Sequence, residues 1–183
     1  MNAAAETIAD GAIHRKSALV SRCDPLFADV HAFLDLESGF LDDDDLRAWL
    51  TCLDPEIRYF VPVRQSVPRS GGDGVSETHH HLNETFDSLT FRVNRLLHEA
   101  AWAETPVSRT RRFVTGVQVE HERAGEVAVR SNLLLIRNRG TNPESDMLSA
   151  KRLDRLRRRP DGSLALCHRT VTLDHSTVGT ANL

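Results

Sequence analysis

Three consecutive histidines followed by an acid are the feature of the sequence that most suggests a catalytic or metal-binding site. The stretch SETHHHLNETFD, residues 76–87, places His79, His80 and His81 shortly before Glu84. Histidine is the commonest metal ligand and titrates near neutral pH, so a metal or acid–base site is the first hypothesis. Adjacent residues project in different directions, however, so three in a row do not easily bind one ion. We therefore predict a polar loop leading into a helix, and no metal site.

The cysteines and the densest run of acidic residues also argue against a metal site. Cys23, Cys52 and Cys167 lie far apart with no C-x-x-C spacing, which argues against a zinc site, an iron–sulfur cluster or a disulfide framework. We predict that they are small buried hydrophobic residues. The four acids at residues 42–45 lack the spaced ligands and closing glutamate of an EF-hand, so they predict a helix start.

Charge is distributed unevenly along the chain. The formal net charge is −3, but residues 1–91 carry net −9 and residues 92–183 carry net +6. A basic half can indicate nucleic-acid binding. Here the arginines alternate with acids and apolar residues in strand-like segments, and arginine suits ion pairs at protein interfaces. We therefore expect an interface or sheet-surface role and no nucleic-acid partner.

Length and hydropathy favour one cytoplasmic domain. The chain has 183 residues, enough for a sizeable core. It has no run approaching the roughly 18 apolar residues of a membrane span, and its start lacks the pattern of a secretory signal. We predict a flexible arm over residues 1–23 and a single domain over residues 24–183.

Helical patterns dominate the first half of the chain. Asp24 and Pro25 are a typical N-cap and first helical residue, and DDDDLRAWLTCL predicts a second, short helix. EIRYFVPVR predicts a strand, with Pro62 indicating a sheet edge or a strand end. Residues 65–81 are rich in Gly, Ser and Pro and predict a long loop. A third helix is predicted with Asn83 as its N-cap.

The second half changes to strand patterns. Four long segments, SRTRRFVTGVQVEHE, EVAVRSNLLLIRNR, MLSAKRLDRLRRR and SLALCHRTVTLDHS, are joined by short turns, which predicts an antiparallel meander. Helices first and a large sheet second is an α+β arrangement, with helices covering one face of the sheet. The chain has neither a G-x-G-x-x-G motif nor a P-loop, so a nucleotide site is unsupported.

Several segments of these strands resemble one known family. AWAETPVSRTRRFVTGVQV, VRSNLLLIRNR, KRLDRLRR and HRTVTLDHSTV occur in the order and spacing of the β (small) subunit of aromatic-ring-hydroxylating dioxygenases, the Rieske non-haem iron oxygenases. LRAWL, IRYFVPVR and NETFDSL precede them in the same order. The sequence departs from the family pattern at Arg112 and Gly116, where members often carry histidine and asparagine, and its end lacks the common aromatic finish.

The resemblance implies a fold, partners and a function. The fold is a cone-shaped α+β domain with a curved antiparallel or mixed sheet and three helices, of the ketosteroid-isomerase or nuclear transport factor 2 type. Three β subunits form a base under three α subunits, which hold the Rieske [2Fe–2S] cluster and the mononuclear Fe(II). The complete system dihydroxylates an aromatic ring with O2 and electrons from NAD(P)H, delivered by electron-transfer components. The histidine stretch is expected to face an α subunit or a neighbouring β subunit.

The residues agree that this chain alone does not carry that chemistry. A Rieske cluster needs two cysteines and two histidines in paired motifs, which three isolated cysteines do not supply. A mononuclear iron site needs two histidines and a carboxylate that converge, and no helical H-x-x-x-H pair occurs. We expect neither catalytic nor cofactor-binding nor metal-binding residues here.

Charged residues on the strands are the candidate structural site. Buried arginine is costly unless it is paired and hydrogen-bonded. We hypothesise cross-strand and cross-subunit ion pairs that hold a β trimer; the alternative is ordinary exposed ion pairs. The candidates are Arg109, Arg111, Arg130, Arg152, Asp154, Arg169 and Asp174.

Two other function classes remain open from the sequence. A stand-alone isomerase or dehydratase of the same fold would use an acid–base residue in the cone pocket, for which Tyr59, Asp154 and His168 are candidates. A scaffold or carrier would have a pocket with no titratable pair.

Overall fold

The structure is a computed structural model that describes residues 19–68, 73–98, 108–121 and 123–176. Most of the predicted N-terminal arm (residues 1–18), residues 101–107 of the first family motif and the C-terminal tail (residues 177–183) lie outside the described residues. The elements, in chain order, are α1 (Pro25–Asp42), α2 (Leu46–Thr51), β1 (Leu53–Arg64), β2 (Val75–Glu84), α3 (Phe86–Leu96), β3 (Ser108–Val119), β4 (Glu126–Arg139), β5 (Asp146–Arg158) and β6 (Leu164–Leu173). The predicted α+β class is confirmed.

The first two helices begin where the sequence predicts. The Asp24 side chain accepts a hydrogen bond from the Leu26 amide (2.9 Å), and Pro25 is the first residue of α1. Asp45, the last of the four acids, caps α2 in the same way through the Ala48 amide (3.0 Å). None of the helices in the described part of the chain is long and apolar enough to cross a bilayer.

The six strands form one mixed sheet in the order β2-β1-β6-β5-β4-β3. The strands β3 to β6 pair antiparallel in sequence order, which confirms the predicted meander. β1 pairs parallel with β6 and antiparallel with β2. β2 and β3 are therefore the two edges of the sheet.

The predicted loop over residues 65–81 is wrong in its second half. β2 begins at Val75 and runs through all three histidines, paired with β1. The pairing shifts register twice, and the Ser76 hydroxyl accepts hydrogen bonds from the Thr78 and His79 amides. A strand interrupted by such a local turn does not alternate regularly between apolar and polar residues, so its sequence resembles that of a loop.

Two smaller predictions next to β2 need correction. Pro62 does not mark a sheet edge, because β1 lies between β2 and β6, but it does lie near a strand end, two residues before β1 ends at Arg64. It sits opposite His80 where the register shifts, so its missing N–H interrupts no regular ladder. The cap of α3 is Thr85, not Asn83. Thr85 and Ser88 form a capping box, which the sequence hides because serine replaces the usual glutamate.

The two faces of the sheet differ in what covers them. Successive strand residues point to opposite faces. The face that we call the inner face packs against α1, α2 and α3 and contributes to a core that includes Ile57, Val129 and Leu156. The opposite face, which we call the outer face, carries half-buried and exposed side chains, among them Phe113 (46% exposed) and Met147 (57% exposed).

Candidate functional site

Four charged side chains lie together in the protein interior between α1 and the inner face. Glu37 comes from α1, Arg152 and Asp154 from β5, and Arg169 from β6, and none is more than 3% exposed. We call these four residues the charge cluster. The strand period explains the grouping, because Arg152 and Asp154 are two residues apart on one face and Arg169 is the direct cross-strand partner of Asp154.

Arg169 is the centre of the charge cluster. Its Nε and Nη2 atoms donate to the two oxygens of Asp154, at 2.8 and 2.9 Å. Its Nη1 and Nη2 atoms donate to the two oxygens of Glu37, the second at 2.8 Å. One guanidinium thus binds two carboxylates in a forked arrangement, which is the geometry that favours arginine over lysine.

The remaining contacts complete the charge cluster. Arg152 Nη2 donates to Asp154 Oδ2 (2.9 Å) and to Glu37 Oε2 (3.4 Å). The indole N–H of Trp49, from α2, donates to Glu37 Oε1 (3.3 Å). With two carboxylates and two guanidinium groups the cluster has no net charge, which offsets the large cost of removing each charge from water.

Electrostatics keeps both carboxylates ionised. Burial alone would raise the pKa of Asp154, but the charges of Arg169 and Arg152 outweigh burial and lower the pKa to about 2. The same competition between burial and the two arginines lowers the pKa of Glu37. A carboxylate with such a low pKa is a poor general base at neutral pH, because the best catalytic pKa lies near the operating pH.

The structure places two of the three residues considered for an isomerase in the interior and the third, His168, on the outer face. Tyr59 is next to the charge cluster, with its ring centroid 5.7 Å from Arg169 Cζ, and Asp154 belongs to the cluster. His168 directly precedes the inward-facing Arg169 on β6 and points to the outer face. Burial and the neighbouring Arg155 lower the pKa of His168. The acid–base set that a stand-alone isomerase would need is therefore divided between the two faces.

The other four candidate residues lie outside the charge cluster. Arg109 donates to the Gly140 carbonyl (3.0 Å), and Asp174 accepts from the Ser149 hydroxyl (2.8 Å). Arg111 is exposed and Arg130 half-buried, both on the outer face, and neither guanidinium has a partner among the described residues. The seven candidates thus divide into three interior residues and four residues outside the cluster.

The histidine stretch contributes no shared site. His79 and His80 are exposed, and the His80 ring packs on Phe60 with 5.7 Å between centroids. His81 is half-buried, and its Nε2 atom has no hydrogen-bond partner. Across the described ranges, no three histidine, cysteine or acidic side chains are grouped closely enough to hold a metal ion.

The cysteines are also unsuited to chemistry. The prediction of a buried residue is wrong for Cys23, which is exposed, and confirmed for Cys52 and Cys167, which are buried. Burial raises the pKa of Cys52 to about 11 and that of Cys167 to about 12. Both buried thiols therefore stay protonated at neutral pH, and a protonated thiol is a poor nucleophile and metal ligand. Within the described ranges, the three cysteines are not grouped with one another or with histidines in the way that an iron–sulfur cluster needs.

The sequence reasoning missed Glu37, although a signal for it exists. The buried residues of α1 are Val30, Phe33, Leu34 and Glu37, spaced at i, i+3, i+4 and i+7. An acid at the fourth position of an apolar stripe faces the core, where a charge is rare unless it is paired. That position predicts a buried arginine partner, but not which arginine.

Comparison with known proteins assigns the family. The family model for the ring hydroxylating beta subunit matches residues 37–180, which is most of the chain. This chain belongs to the ring-hydroxylating dioxygenase β-subunit family. A chain of naphthalene 1,2-dioxygenase, solved with indole in the active site, is 29% identical with a TM-score of 0.74; the match covers 88% of this chain and 86% of that chain.

More distant structures share the fold of this β subunit. The β subunit of benzoate 1,2-dioxygenase from Burkholderia mallei is 21% identical with a TM-score of 0.64, over 85% of this chain and 96% of that chain. A protein with a cystatin-like fold from Nostoc punctiforme is 14% identical with a TM-score of 0.54, over 84% and 95%. These two likenesses support the predicted fold type alone.

Proposed function

We propose that this β subunit is a non-catalytic, structural component of an aromatic-ring dioxygenase. Three copies would form a base for three α subunits, which would hold the Rieske [2Fe–2S] cluster and the mononuclear Fe(II). The assembly would dihydroxylate an aromatic ring with O2, and electrons from NAD(P)H would reach the α subunits through electron-transfer components. The observation that carries this proposal is the family match over residues 37–180.

The interior supports a structural role. Between α1 and the inner face this chain has the charge cluster, with both carboxylates bound to arginine. A cluster in which both carboxylates are bound by arginines and have lowered pKa values has no carboxylate poised to exchange a proton near neutral pH. We therefore favour the structural role over the stand-alone isomerase.

The outer face supports association with other subunits. It combines exposed apolar side chains, Phe113 and Met147, with the unpartnered guanidinium groups of Arg111 and Arg130. Aromatic residues, methionine and arginine are the types enriched at protein interfaces. A threefold ring uses a heterologous contact, so the outer face of one copy would meet a different surface of the next copy.

Co-expression with the α subunit tests the proposal. We expect the two chains to purify together as a complex of three α and three β subunits, with iron only in preparations that contain the α subunit. The β subunit expressed alone should sediment as an iron-free trimer. A β subunit that stays monomeric and does not retain the α subunit would contradict the structural role.

Charge reversal on the outer face tests where the copies meet. The double variant Arg111→Glu, Arg130→Glu places two negative charges on this face, and we expect it to sediment as a monomer. Arg47→Glu is the matched control, because Arg47 is exposed on α2, away from the outer face. A trimer as stable as that of the control variant would show that the copies meet elsewhere.

A further inference from the structure

Two buried polar atoms without protein partners belong to cross-strand neighbours beside the charge cluster. Ser131 on β4 and Arg152 on β5 are direct cross-strand partners, and both side chains point to the inner face. Ser131 is 1% exposed and Arg152 is 3% exposed. The Ser131 hydroxyl and the Arg152 Nε–H are both without a hydrogen-bond partner, and they do not bond to each other.

Such a pair needs an explanation, because nearly all buried polar groups in native proteins are hydrogen-bonded. The Arg152 guanidinium is held in place, since its Nη2 atom donates to Asp154 and Glu37. Its Nε–H donor is therefore directed by the charge cluster and does not turn freely to find another acceptor. The Ser131 hydroxyl can donate or accept, so it can complete a bridge from the other side.

The surroundings define the chemistry of the group that completes this bridge. The charge cluster is already balanced, so an added ion would be a buried, uncompensated charge. The neighbouring inner-face side chains are apolar, with Leu133 beside Ser131 and Ala150 and Val171 beside Arg152. The bridging group must be neutral, must accept from Nε–H and must pair with a hydroxyl. Buried water meets these conditions and satisfies such groups in many proteins.

We propose that Ser131 and Arg152 form a binding site for one buried water molecule. The water accepts a hydrogen bond from Arg152 Nε–H and exchanges one with the Ser131 hydroxyl. By accepting from the remaining buried donor of Arg152, it holds that side chain against Glu37 and Asp154. The interior of the domain then contains a hydrated ion-pair unit in place of a substrate pocket.

A high-resolution crystal structure and water-selective NMR test this site. We expect electron density for a single oxygen within hydrogen-bonding distance of both Ser131 Oγ and Arg152 Nε. In solution, the Arg152 Hε proton should show a nuclear Overhauser effect to a long-lived water. A direct hydrogen bond between Ser131 Oγ and Arg152 Nε, density for a charged ion, or no water signal at Hε would each overturn the proposal.

A pair of serine variants separates the water from other effects. Ser131→Ala removes one of the two water partners, and we expect loss of the water signal at Arg152 Hε and a lower melting temperature. Ser149→Ala is the control, because its hydroxyl bonds Asp174 at an exposed position on the same sheet. If Ser131→Ala keeps the water signal and has the same melting temperature as Ser149→Ala, the water does not depend on Ser131 and the proposed site is wrong.

Discussion

Arginines on neighbouring strands of this sheet have opposite environments. Arg152 and Arg169 on the inner face are at most 3% exposed and are bound to carboxylates on two sides. Arg130 and Arg111 on the outer face are half-buried or exposed and have no partner among the described residues. The strand period decides the face, and the presence of Glu37 on the covering helix decides whether an arginine can be buried there.

One residue type thus serves two different purposes in one sheet. Inside, arginine compensates buried carboxylates, and replacing such a unit by apolar side chains is often neutral in stability. The buried ion pairs would then serve to specify one packing of α1 on the sheet. Outside, Arg111 and Arg130 are available to a partner. Variants on each face should separate these roles, because of these four arginines we expect only Arg152 and Arg169 to affect the stability of the single chain.

The largest effect is expected from Arg169→Met. This change leaves Glu37 and Asp154 buried with only Arg152 as a cationic partner, and breaking a buried ion pair from one side costs about 3–5 kcal/mol. We expect a loss of that size in the free energy of unfolding, measured by urea denaturation. Arg47→Met on α2 is the matched control. A loss no larger than that of the control would mean that the interior arginines are as dispensable as the exposed ones.

A second, pH-dependent effect is expected from Asp154→Asn. The folded-state pKa of Asp154 is lowered to about 2, whereas an unfolded aspartate titrates near about 3.9. Its ionised form therefore contributes stability above about pH 4, on the order of 2 kcal/mol, and that contribution is lost as the pH falls towards 2.

The variant should thus be less stable than the parent at neutral pH, and the two free energies of unfolding should converge near pH 2. Urea denaturation across this pH range measures the difference. Asp35→Asn serves as the control, because Asp35 is exposed on α1. A difference that stays constant down to pH 2 would show that Asp154 is not the titrating group.

An intermediate effect is expected for an ion pair that is less buried than the charge cluster, that of Asp42 and Arg112. Asp42 at the end of α1 accepts from the Arg112 backbone amide (2.8 Å) and from Arg112 Nη1 (2.6 Å). The Arg112 side chain is 14% exposed and that of Asp42 is 6% exposed, so solvent screens this pair more than the charge cluster. We expect Asp42→Asn to cost about 1–2 kcal/mol, as for a charged hydrogen bond. The neighbouring Asp43→Asn, which is exposed, should be neutral in the same unfolding measurement.

Much of the fold could be predicted from local signals. The cap Asp24 and the first helical residue Pro25 follow from residue types at one helix end. The four-strand meander and the α+β order follow from consecutive local patterns joined by short turns. All are confirmed. β2 could not be predicted, because its backbone pairs with β1 while its side chains do not alternate. The cap at Thr85 was missed for a similar local reason, since Ser88 takes the place of the usual glutamate.

The candidate site was predictable only in part. Arg152, Asp154 and Arg169 were recognised as charged strand residues that need partners. Glu37, the helix carboxylate that both arginines contact, is 115 residues away in sequence from Arg152 and 132 from Arg169. Glu37 lies on a helix, and nothing in a single sequence says which strands a helix covers. Whether Arg109, Arg111, Arg130 and Asp174 contact another subunit stays a prediction, as do the domain limits, the cytoplasmic location and the subunit that the histidine stretch faces.

The smallest effect is expected from the outer arginines. Arg111→Ala and Arg130→Ala remove side chains that have no partner within the described chain, and surface changes of that kind usually alter stability by less than about 0.5 kcal/mol. The free energy of unfolding should be measured on samples dilute enough to be monomeric, because association stabilises by mass action. At higher concentration the parent should gain stability through trimer formation and the double variant should gain less. If the double variant is destabilised when monomeric, the outer arginines support the single chain after all, and the contrast with Arg152 and Arg169 fails.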